Sequence, residues 1–73
     1  MLFTAHVSFK AEKDAKWTPI AAPVIERKTQ RGARADALAL FALMAPAHPA
    51  LYARIVKTTA DESRKVVETL EVP

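Results

Sequence analysis

The sequence predicts an α+β fold: a small antiparallel sheet packed on one central helix, in the order β-β-α-β followed by a C-terminal helix. Three observations carry this reading. Residues 2–11 alternate, with Phe3, Ala5, Val7, Phe9 and Ala11 on one side and Thr4, His6, Ser8 and Lys10 on the other, which is the period of a half-buried strand. Residues 34–45, RADALALFALMA, are helix formers without a breaker. Residues 51–58 alternate again, with Leu51, Ala53 and Ile55 inward and Tyr52, Arg54 and Val56 outward.

The elements follow in order. After the first strand, residues 12–19 (EKDAKWTP) are a charged connection. Residues 20–28 read as a second strand, and Pro23, which lacks a backbone donor, places it at an edge or a bulge. Residues 29–32 form a turn ending in the only glycine. Gly32 is a tolerable N-cap, and Asp36 in the first turn suits the positive end of the helix dipole.

The central helix is apolar on nearly every side. At about 100° per residue, Leu38, Phe41, Ala42 and Ala45 form one stripe, and Leu40, Leu43 and Met44 fall roughly opposite. A surface helix needs a single apolar stripe, so one of these faces is either covered by the rest of the chain or kept for a partner. Pro46 and Pro49 end the helix around Ala47-His48.

The final segment supports two readings. Thr59-Ala60-Asp61-Glu62 matches a capping box, and on a helix Ser63, Val66, Val67 and Leu70 share one face. Against this, Val66, Val67 and Thr69 favour a strand, and Glu68 and Glu71 are misplaced at a helix C-terminus. The rival is a hairpin pairing residues 51–58 with 65–72 through a turn at 60–63. The helix is preferred here.

The chain of 73 residues is read as one domain, 1–73. A chain this short buries only about 60% of the surface its unfolded form exposes. It contains no cysteine, which excludes disulfides and thiolate metal sites. No charged n-region precedes an apolar run, so no signal peptide is expected, and the longest apolar stretch is far below the ~20 residues of a membrane span. A cytoplasmic protein is the expectation. The net charge of +3 is uneven: residues 1–34 hold seven Lys/Arg against Glu12, Asp14 and Glu26. Such asymmetry favours an acidic partner.

Three groups are candidate partner-binding residues. Arg27, Lys28, Arg31 and Arg34 lead into the helix N-terminus, where backbone N–H groups already favour an anion; Lys10, Lys13 and Lys16 could extend the surface. The plainer reading of the cluster is a solvated turn. Trp17 is a rigid anchor for a partner, or a lid over a thin core, the second being preferred. The stripe Leu40, Leu43 and Met44 is a docking or dimer seam, or is covered by the C-terminal half.

His6 reads as a polar-face strand residue and His48 as a turn residue, since neither has ligand-spaced companions. Ser8 and Ser63 have no base or elbow around them. A single glycine excludes a glycine-rich phosphate loop. The expectation is therefore no enzyme, no cofactor and no metal.

In being very short, cysteine-free, alanine-rich and without a catalytic motif, the chain resembles the small bacteriophage proteins that redirect host machinery, such as inhibitors of bacterial RNA polymerase. The resemblance is one of style and carries no site residue over. It implies a non-catalytic regulator that docks on a larger protein complex and acts sterically, as a monomer or weak homodimer. The alternative is a small nucleic-acid-binding module gripping phosphate through residues 27–34.

Overall fold

The computed structural model describes residues 1–10, 12, 14–20, 24–48 and 50–72. It contains β1 (Leu2–Lys10), β2 (Thr18–Pro19), α1 (Gln30–Met44), β3 (Ala50–Thr58) and β4 (Arg64–Val72). The four strands make one antiparallel sheet in the order β2-β1-β3-β4, with α1 packed on one face. The expectations attached to Ala11, Lys13, Pro23 and Pro49 lie outside the described residues.

The alternation in β1 and β3 does what its period requires. Their pairing runs unbroken from Leu2↔Thr58 to Lys10↔Ala50, so Phe3, Val7, Leu51, Ala53 and Ile55 all lie on the helix side. They form the core with Ala33, Ala37 and Phe41. Ala33 and Ala37 are fully buried; their small side chains let the helix backbone approach the sheet, while Phe41 supplies the bulk.

The face of α1 that meets the sheet is neither of the two expected stripes. It runs through Ala33, Ala37 and Phe41, with Leu40 and Met44 partly buried beside them, and is centred between the stripes. Leu38 and Ala42, expected to share the stripe of Phe41, point to solvent. With apolar residues all round, the pattern could not say which side wins; the bulk of Phe41 and the smallness of Ala33 and Ala37 decided it.

The helix also starts earlier than expected. Thr29, not Gly32, is the N-cap, and its hydroxyl accepts from the Gly32 N–H at 3.0 Å, a contact that contributes about 1 kcal/mol. Asp36 consequently lies beyond the first turn. A side chain at Gly32 would place its Cβ 3.2 Å from Thr29 Oγ1 and 3.4 Å from Arg27 Cβ. The glycine thus allows Arg27 to cross the helix start.

Among the described residues of 20–28 the expected strand is not formed. Thr18 and Pro19 pair with Phe9 and Ser8, and further on, among the described residues, only Arg27 pairs, with Phe3. Eight steps of chain separate Pro19 from Arg27 where five separate their partners Ser8 and Phe3, so the two pairings do not share one register. Ile20 and Arg27 still bond to the free edge of β1, through Ile20 N–H to Val7 O at 2.9 Å and Arg27 N–H to Phe3 O at 2.8 Å.

The C-terminal segment is the hairpin, not the helix. The residues that imitate a capping box build the turn instead: Thr59 N–H donates to Ser63 O at 3.0 Å and Glu62 N–H to Thr59 O at 2.9 Å. Asp61 accepts from the Ser63 N–H and from the Thr59 hydroxyl, which is the local bonding these residue types offer in turns. The helix-like spacing of Val66, Val67 and Leu70 has its own cause. A bulge separates Ile55↔Glu68 from Val56↔Val66, leaving Val67 as an extra residue and breaking the period of two. Val67, Leu70 and Val72 then all pack on the core side.

Candidate functional site

The molecule presents three surfaces that could meet a partner: the basic cluster, the outer face of α1 and the uncovered face of the sheet.

The basic cluster is divided by the fold. Arg27 grips Asp36 with two bonds, Nε to Oδ2 at 2.8 Å and Nη2 to Oδ1 at 2.9 Å. Arg34 grips Glu68 of β4 through Nε and Nη2 at 2.8 Å, and Gln30 Nε2 donates to the same carboxylate at 2.9 Å. Arg34 and Gln30 hold the Glu68 carboxyl below its usual range, and both arginines are raised above theirs by their carboxylate partners. These pairs clamp the helix start to residues 27 and 68. Lys28 and Arg31 remain exposed and take no ion pair among the described residues. The four basic residues therefore do not form one anion site.

The outer face of α1 is apolar. Leu43 is 77% exposed and Leu38 51%, with exposed Ala35, Ala39 and Ala42 beside them. No charged residue occurs between Asp36 and the helix end. Of the expected docking stripe, only Leu43 is available, since Leu40 and Met44 pack against the core. Leu38, from the other expected stripe, joins it on the exposed side.

The third surface was not anticipated as a unit. On the side of the sheet away from α1, the pairing places His6 opposite Arg54 and Arg54 opposite Thr69. Thr4 and Val56, 7% and 8% exposed, lie in its floor. Thr4 was expected on the polar side and Val56 on the outward side, and both are nonetheless buried beneath longer neighbours. His6, Arg54, Val56, Arg64, Lys65 and Val66 line a depression of about 360 Å³. His6 Nε2 lies 2.9 Å from Thr4 Oγ1. Burial, followed by the positive charges of Arg54 and Arg64, pushes the His6 imidazole below its ordinary pKa. Neither arginine is in an ion pair among the described residues.

At the other end of this face stand the aromatic residues. Trp17 does not lid the core; it packs on Tyr52, with ring centroids 5.5 Å apart, and remains 41% exposed. Lys10 Nζ lies 4.8 Å from the Trp17 ring centroid, within cation–π range. The β1–β2 pairing sets Trp17 beside Lys10, and the β1–β3 register brings Tyr52 to them.

His48 stacks on Phe9 with centroids 4.4 Å apart and is remote in role from this face. Among the described residues no three His, Asp or Glu side chains converge as a metal site, and no helix is long and apolar enough to cross a membrane.

Compared with known proteins, the chain matches no family model, no curated protein and no solved structure.

Proposed function

We propose that the chain is a non-catalytic protein-binding regulator that docks on a larger macromolecular machine, with bacterial RNA polymerase as the first target, and acts by occupying a surface another factor needs. One observation carries the reading: Leu38 and Leu43, about 140° apart around the helix, stand exposed on either side of an outer face that carries alanines and no charge. A helix laid into an apolar groove buries such a face, with one leucine against each wall. Burying two leucines contributes about 3 kcal/mol, roughly a hundredfold in affinity.

The nucleic-acid alternative through residues 27–34 is the less favoured, because Arg27 and Arg34 are already held by carboxylates. The test is a variant carrying both Leu38→Asp and Leu43→Asp. Since both side chains are exposed, the folded state should persist, as circular dichroism can verify. Binding to purified bacterial RNA polymerase, followed by surface plasmon resonance together with a transcription assay, should weaken by at least about tenfold. Undiminished binding by the double variant, or no binding by the original chain, would overturn the proposal for this target.

A further inference from the structure

We propose that the open face of the sheet binds single-stranded nucleic acid, with bases stacking at Trp17 and Tyr52 and phosphates held by Arg54 and Arg64. This inference is independent of the helix face, which lies on the other side of the molecule.

Four observations support it. First, α1 packs on the opposite side of the sheet, and among the described residues no helix or strand lies over this face. Second, exposed Trp17 packs on half-buried Tyr52, with Lys10 against the indole; aromatic platforms of this kind hold bases without regard to sequence, because every base has a π-face. Third, the arginines differ from those beside the helix. Arg27 and Arg34 are satisfied by carboxylates, whereas Arg54 and Arg64 line a depression with His6 and take no ion pair among the described residues. Guanidinium groups left in this state are matched by the paired oxygens of a phosphate.

The fourth observation is spacing. Tyr52, Arg54 and Val56 occupy one side of β3 at alternate positions, so a stacking group and a cation follow each other about 7 Å apart. A strand crossing this face would meet a ring and then a charge. A duplex is a poor fit, because its paired and stacked bases hide the faces that Trp17 and Tyr52 would meet. An acidic peptide would satisfy the arginines but would leave the rings unused.

Trp17 is the only tryptophan, so its fluorescence reports stacking directly. The experiment titrates the full chain with a ten-nucleotide oligothymidylate at about 50 mM salt. Saturable quenching is expected. Three phosphate contacts, from Lys10, Arg54 and Arg64, give a slope near −2 in log K against log salt, so affinity should fall roughly 20-fold between 50 and 200 mM.

Tyr52→Ala should weaken binding by about 5-fold or more with the slope unchanged, and Tyr52→Phe should restore it. Arg54→Ala with Arg64→Ala should reduce the slope by roughly 1.4, and both side chains are exposed, so the fold tolerates the change. Glu71 lies opposite Tyr52, so Glu71→Lys should tighten binding. Absence of quenching up to about 100 μM oligonucleotide would overturn the proposal. So would equal competition by inorganic polyphosphate, which has no bases, or by a polyglutamate peptide, which would reassign the face to an acidic protein.

Discussion

Replacing Phe41 by alanine tests the packing of α1 directly. Of the three helix residues buried against the sheet, two are alanines, so Phe41 is the one large side chain among them, with Leu40 and Met44 only partly buried beside it. It is 5% exposed. Truncation to a methyl group removes on the order of 100 Å² of buried ring, or about 3 kcal/mol at ~25–30 cal/mol/Å². The cavity left under the helix raises the total toward the upper part of the ~3–5 kcal/mol range seen for such changes. A chain of this length is held by roughly 4–11 kcal/mol, at ~0.05–0.15 kcal/mol per residue. The substitution therefore consumes about a third of the stability at the least, and all of it at the most. Urea unfolding followed by circular dichroism at 222 nm measures the loss, with Leu43→Ala as the control. Leu43 is 77% exposed, so its truncation should stay within about 0.5 kcal/mol. Equal losses in the two variants, or a Phe41→Ala loss under about 1 kcal/mol, would refute the assignment of the buried helix face.

Two further predictions concern the hairpin turn and the open face. Glu62 has φ = 66° in the β3–β4 turn, a left-handed conformation that costs a side chain about 1 kcal/mol, so Glu62→Gly should raise stability by about 0.5–1 kcal/mol in the same unfolding assay; a loss would show that the carboxylate has a structural task. His6 has its pKa lowered by burial and by Arg54 and Arg64, so the unfolded chain takes up the proton first as pH falls. Stability should then decline from near pH 6.5 downward, and His6→Gln should flatten that part of the profile above the range where Glu68 and Asp61 titrate. An unchanged profile in the variant would remove His6 as its cause.

What the sequence could show followed from how much each element depends on its neighbours. The strands β1 and β3 were legible because one face of each is buried and the period of two survives in the residues. The helix was legible as a helix but not in its orientation, since apolar side chains surround it and the choice rests on volume at Ala33, Ala37 and Phe41. For β4 the bulge at Val67 disguised a strand as a helical face. The open sheet surface was invisible because it is made by register: Lys10, Trp17 and Tyr52 meet through cross-strand pairing, as do His6 and Arg54. The Arg34–Glu68 pair likewise joins elements separated by the whole of β3, and no local pattern announces it.

The position of β1 at the centre of the sheet has a consequence for how the chain is made. β1 is synthesised before every other element, yet its long partner is β3, between 40 residues later at Lys10↔Ala50 and 56 later at Leu2↔Thr58. At about 5–20 residues per second, the ribosome delivers that partner roughly 2–11 s after β1 itself. In that interval Thr18, Pro19 and Arg27 shield an edge of β1, through their pairs with Phe9, Ser8 and Phe3. Pro19 and the charges of Glu26 and Arg27 make this stretch a poor template for recruiting another chain. These few pairs, two of them in the short β2, are the first companions a nascent β1 acquires, and their sparseness keeps that early pairing from spreading to neighbouring chains.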